Sequence, residues 1–107
     1  MKEYIEVHTT LETQEDARKI ARRLVEKRLV ACAQVLGPIS STYWWKGEIQ
    51  EEQEWLCTMK SKRALYPRIE NEIRAIHPYE EPEILATPVV EGSKSYLDWV
   101  DDQVESP

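Results

Sequence analysis

One stretch limits the possible folds more than any other. From Ala31 to Lys46 the chain is rich in β-formers, "ACAQVLGPISSTYWWK", and after Gly47 it returns through "EIQEEQEWLCTMK". Gly47 can take the positive φ that a two-residue hairpin turn demands, so the two runs read as one long antiparallel ribbon. At about 3.3 Å per residue, a strand over Ala31 to Lys46 would extend about 50 Å, somewhat less with a bend at Gly37-Pro38. A chain of 107 residues makes a globule only about 35 Å across. The hairpin should therefore overhang its own domain.

The tip of this ribbon is aromatic. In a strand, Tyr43 and Trp45 share one face and Trp44 takes the other, so both faces carry large apolar groups and the tip wants cover on both sides. With Ile49 these side chains would leave apolar surface and unpaired edges in water unless something packs on them. Another copy of the chain is the favoured cover. Two alternatives stand beside it: the hairpin folds back on its own helices, or the tryptophans stack on a ligand.

The flanking sequence supplies the rest of one domain over residues 1–107. In "EYIEVHTTL" Ile5 and Val7 face one way and Tyr4, Glu6 and His8 the other, which is a first strand. The period then changes to helical, with Ala17, Ile20, Ala21, Leu24 and Val25 on one stripe and Thr13 with Asp16 as a capping pair. Leu65, Ile69, Ile73 and Ile76 mark a second helix, with Pro67 in its first turn and Pro78 as its stop. "PEILATPVVEG" makes a fourth strand, and "SYLDWVDDQV" a short final helix with Tyr96, Trp99 and Val100 inward. The order βαββαβ plus a C-terminal helix predicts an α+β, ferredoxin-like antiparallel sheet with both long helices on one face.

Charge and cysteines narrow the function. A formal charge of −6 argues against a nucleic-acid partner or an anionic membrane. No apolar run reaches the roughly 20 residues of a membrane span and no signal-type segment opens the sequence, so the expected compartment is the cytoplasm. With Trp45 opposite Glu48, Cys57 should lie opposite Leu36, about 13 Å along the ladder from Cys32; a disulfide needs Cα atoms within about 7 Å. Both thiols are expected to be reduced.

Four segments, "ACAQV", "STYWWKGEIQ", "HPYEEPE" and "YLDWV", together resemble the CutA divalent-cation-tolerance proteins over essentially the whole chain. The resemblance implies a homotrimer built through the long hairpin, similar in architecture to the nitrogen-regulatory PII signalling proteins, with Tyr43, Trp44, Trp45 and Ile49 in the trimer interface. It also implies association with divalent metal, copper among them. His77 belongs to the family's HPY element, and His8 takes a position where some copper-binding relatives carry a thiol. These two are the candidate metal ligands, weakly binding and completed by Glu carboxylates of the same or another subunit. Ala33-Gln34, where the family often has Val-Asn, leaves the fold expectation intact.

Taken alone, His77 is explained by its place at the end of a helix, where an imidazole meets the last carbonyls and the dipole. A functional reading groups it with Tyr79, Glu80 and Glu83 as the lining of a ligand cleft between subunits. No nucleophile-base set or HExxH occurs, and Gly37, Gly47 and Gly92 are too dispersed to cradle a phosphate. The expected role is a binding scaffold or sensor, not an enzyme. The alternative is a PII-like signalling module that binds a small anionic ligand in the inter-subunit cleft.

Overall fold

The computed structural model describes residues 3–106. Four strands, β1 (Tyr4–Leu11), β2 (Cys32–Trp45), β3 (Glu48–Lys62) and β4 (Leu85–Pro88), form one antiparallel sheet in the order β2-β3-β1-β4. Helices α1 (Gln14–Glu26) and α2 (Tyr66–Ile76) alternate with the strands, and α3 (Lys94–Gln103) closes the chain. This is the ferredoxin-like arrangement expected. Among the described residues no helix is long and apolar enough to cross a membrane.

Local chemistry sets the helix bounds. The Asp16 N–H donates to Thr13 Oγ1 at 3.1 Å, and Glu15 and Asp16 place negative charge in the first turn of α1, where the helix dipole favours it. Ala17, Ile20 and Leu24 bury the stripe. Val25 does not join it and stays 39% exposed. Arg28 takes a positive φ of 55°, and the Leu29 N–H returns to the Leu24 carbonyl, so the chain folds under the helix end and Leu29 and Val30 fill the space instead. Helix α2 starts with Pro67 in its first turn, where the missing N–H costs nothing.

The core lies on one side of the sheet. Ile5, Val7, Cys57 and Met59 meet Ala17, Ile20 and Leu24 of α1 and Ile69 and Ile73 of α2. The other, open side carries Glu6, His8, Gln34, Thr58 and Lys60, aligned by the cross-strand register. Helix α3 holds to β3 by the Lys62–Asp101 ion pair at 2.7 Å and buries Val100. Tyr96 and Trp99 are not inward as expected: they are 43% and 42% exposed. Their rings lie 5.6 Å apart against each other, and Tyr96 OH reaches Cys32 Sγ at 3.5 Å on the edge strand. One short helix crossing a sheet edge has room for only one buried row, and Val100 takes it.

The hairpin departs from the expected register at one place. Leu36 pairs with Leu56 but Ile39 pairs with Glu54, so Gly37 and Pro38, joined by a cis peptide, bulge opposite Trp55. Gly37 is required there, because a Cβ would sit 2.6 Å from the Trp55 ring. The slip moves Cys57 from Leu36 to Val35. Cys32 is then three residues along, about 10 Å, and both cysteines are free thiols as expected. Lys46 and Gly47 both have positive φ, 49° and 81°, which is the two-residue turn the sequence calls for.

Candidate groove at the hairpin

The strand β1 pairs with β3 only as far as Leu11 opposite Trp55. Beyond that point β2 and β3 run on as a two-stranded ribbon, and the molecule measures 44 × 25 × 21 Å. Trp44 and Ile49 pair across the ribbon and are 71% and 59% exposed. Tyr43 and Trp45 project to the opposite side. Tyr43 OH donates to Glu52 at 2.9 Å, and the Lys46 ammonium stands 5.5 Å over the Trp45 ring.

A groove of about 930 Å³ opens on this second side, between the ribbon, the end of β1 and the segment from Tyr79 to Glu83. The expected cleft residues Tyr79, Glu80 and Glu83 are brought together in its wall with Tyr43 and Trp45. Glu12, Glu52, Glu54 and Glu81 join them. Lys46 reaches Glu80 at 3.8 Å across the rim.

His77 stands behind this wall. Its Nε2 donates to the Thr10 carbonyl at 2.9 Å, and its Nδ1 accepts the Tyr79 N–H at 3.1 Å. Its own N–H, not its ring, meets the helix carbonyl of Ile73 at 2.8 Å. The ring therefore clamps the α2–β4 connection to β1 in the neutral state, and burial pushes its pKa below the ordinary 6.5. Tyr79, packed on that ring at 4.8 Å, donates its OH to Glu54 Oε2 at 2.8 Å. Burial and the Glu54 carboxylate together push the Tyr79 phenol well above its usual range. Glu54 is only 6% exposed. Sequence reasoning missed it: in "EEQEW" nothing local separates it from its neighbours, and its burial depends on a tyrosine 25 positions away.

His8 lies on the open face, with Nε2 at 2.7 Å from Glu6 Oε1, and Lys60 approaches the other Glu6 oxygen at 3.3 Å. The bond to His8 chiefly, with Lys60, holds the Glu6 carboxyl below its usual range. Among the described residues no group of three or more His, Cys, Asp or Glu is arranged to hold a metal ion. Within one chain, His8 and His77 therefore do not fit a metal centre, and His77 has both ring nitrogens engaged. Cys57 offers no reactive thiol either, since burial pushes it up to about 12.

The chain matches the model of the CutA1 divalent ion tolerance protein family over residues 5–103. The chain belongs to this CutA1 family. It is 43% identical over 91 residues to the divalent-cation tolerance protein CutA of Thermus thermophilus, covering 85% of this chain and 88% of that one. The human protein CutA is 44% identical over 90 residues, which are 84% of this chain but 50% of the human sequence, so the chain spans about half of that relative's length. The solved structure of the periplasmic divalent cation tolerance protein CutA of Archaeoglobus fulgidus superposes with a TM-score of 0.92 at 36% identity, covering 95% of this chain and 99% of that one. CutA1 membership supports a role in divalent-metal tolerance, and the family's descriptions name no reaction.

Proposed function

We propose that the chain acts as a homotrimeric scaffold or sensor in divalent-metal tolerance, without catalysis, and that the cytoplasm is its compartment. The exposed Trp44–Ile49 pair at the end of an unsupported ribbon carries the reading. A two-stranded ribbon is marginal in water by itself, and a partner chain would bury these side chains. The sheet also ends in two unlike edges, β2 and β4. Joining unlike edges is a heterologous contact that closes into a ring when the rotation allows it; three is the number the family resemblance implies. Two free thiols, one of them partly exposed, suit a reducing compartment. Light scattering coupled to gel filtration at micromolar concentration is expected to give three times 12.6 kDa. A 12.6 kDa species there would end the trimer reading.

For copper the two histidines now separate. His8 keeps Nδ1 without a hydrogen-bond partner among the described residues, whereas His77 is closed by its own chain. Cu(II) suits imidazole and carboxylate donors, and a site built between chains from His8 and Glu side chains would be weak. Calorimetric titration is expected to show Cu(II) affinity that falls from pH 7 to pH 5 and is lost in His8→Ala. Retention of full affinity in that variant would remove His8 from the reading. The groove disfavours the small-anion alternative, because six carboxylates face it against one rim lysine.

A further inference from the structure

We propose that His77 is an acid-sensitive latch: as the neutral imidazole it pins the Tyr79–Glu83 segment to the end of β1, and as the imidazolium it releases that segment. The neighbours dictate the hydrogen-bond roles. A backbone N–H can only donate, so the Tyr79 N–H at 3.1 Å makes Nδ1 an acceptor; a backbone carbonyl can only accept, so the Thr10 carbonyl at 2.9 Å makes Nε2 the donor. Of the three forms an imidazole can take, one neutral tautomer alone satisfies both contacts. A proton added at Nδ1 points N–H at N–H, so the bond to Tyr79 is lost while the bond to Thr10 stays.

The segment held in this way has few other fastenings. From Pro78 to Glu83 no residue belongs to a helix or strand, and among the described residues its polar ties are the Tyr79 N–H on His77, the Tyr79 hydroxyl on Glu54 and the exposed Lys46–Glu80 pair. Two of the three are made by Tyr79, whose ring rests on the imidazole at 4.8 Å, so one proton acts on both. Asp16 at the start of α1 and Glu54 on β3 are the charged groups that act on the His77 ring, and Glu12, past the end of β1, acts on Tyr79 beside it. All three are acids and favour the imidazolium, whereas burial of the ring resists it and carries the pKa below the ordinary 6.5. The latch is therefore shut near neutrality and opens in acid.

The inference rests on neither the trimer nor the copper reading. Its test is an NMR titration of the full chain in its native assembly, without added metal, from pH 7 to pH 4. Ring nitrogen shifts of His77 and hydrogen exchange at the Tyr79 amide are followed together, and the ring signals missing from His77→Gln are those of His77. At pH 7 the ring is expected to carry its proton on Nε2 and none on Nδ1. As the ring gains a second proton, protection of the Tyr79 amide, corrected for the intrinsic pH dependence of exchange, should fall roughly fivefold to tenfold with the same midpoint, the worth of one hydrogen bond. His77→Gln offers a donor and an acceptor but does not titrate, and should lose that transition. Should Gln fail to hold the segment, its Tyr79 amide is open at every pH, and the coincidence of midpoints in the native protein decides. A ring that is charged or protonated on Nδ1 at pH 7, a ring that stays neutral throughout, Tyr79 protection that is constant while His77 titrates, or the same transition in His77→Gln would overturn the proposal.

Discussion

The strand β3 is two environments in one element. From Trp55 to Lys62 it is flanked by β1 and β2, and Cys57, Met59 and Ser61 are fully buried under the helices. From Glu48 to Gln53 it has β2 alone for company, and its neighbour Ile49 stands in solvent. Backbone and pleat are the same in both halves; what differs is the strand alongside and what lies on top. The base of the hairpin is finished by its own chain, whereas the tip presents large apolar groups that nothing in the chain covers. Under the trimer reading, stability and assembly are written into different ends of one strand.

Truncations at the two ends probe this contrast, and they carry the largest expected effects. Met59→Ala, at the base, should lower folding stability by about 2 to 5 kcal/mol in denaturant melts. Trp44→Ala should cost about 3 to 5 kcal/mol if another chain buries it, and should show as loss of assembly mass. A Trp44→Ala protein with unchanged mass and melting temperature would mean that the tip is uncovered in solution, and the contrast would dissolve.

A smaller effect is expected where the two halves are tied together. Tyr79 fastens the α2–β4 connection to Glu54, the first ribbon residue beyond Trp55. Tyr79→Phe removes one hydrogen bond to a carboxylate and should cost about 1.5 to 3 kcal/mol. Hydrogen exchange should rise in the ribbon more than in β1; an equal rise in both would mean that the tie is not local.

The smallest effect is acid sensitivity through His77. Its folded pKa lies below 6.5, so below that pH the unfolded chain takes up a proton that the folded ring, donating at Nε2 and accepting at Nδ1, resists. The contribution is complete above pH 6.5 and is lost as pH falls towards the depressed folded value. Melting temperature should drop from pH 7 to pH 5 more in the native protein than in His77→Gln. Equal drops would assign the acid response to other groups.

The two helices and the alternation of β1 were legible because their signals are local: Ala17, Ile20 and Leu24 repeat with the helix, and Thr13 caps where the stripe begins. The hairpin and its turn were legible from length and from Gly47. What escaped depended on distant partners. The place of Cys57 turned on a bulge packed against the Trp55 ring, Tyr96 and Trp99 on the narrow edge that α3 crosses, and the depth of Glu54 on Tyr79. Tyr79, Glu80 and Glu83 were grouped by motif and do share a wall, but the clamp made by His77 needed coordinates, since it bonds to a carbonyl 67 residues earlier.

The extra residue at Gly37-Pro38 also works as an offset between two patterns of facing. Below it, even-numbered β2 residues such as Gln34 share the open side with Thr58; above it, odd-numbered Tyr43 and Trp45 share that side with Gln50 and Glu48. Removing one of the two residues would make the ladder regular and keep Tyr43 opposite Gln50 and Trp44 opposite Ile49, so the ribbon would keep its faces and lose only the bend and added twist that the bulge supplies. The extra residue thus aims the ribbon without choosing its faces, at a point far from the tip. A single-residue deletion there would point Trp44 and Ile49 in another direction while leaving the ladder from Cys32 to Leu36 in place.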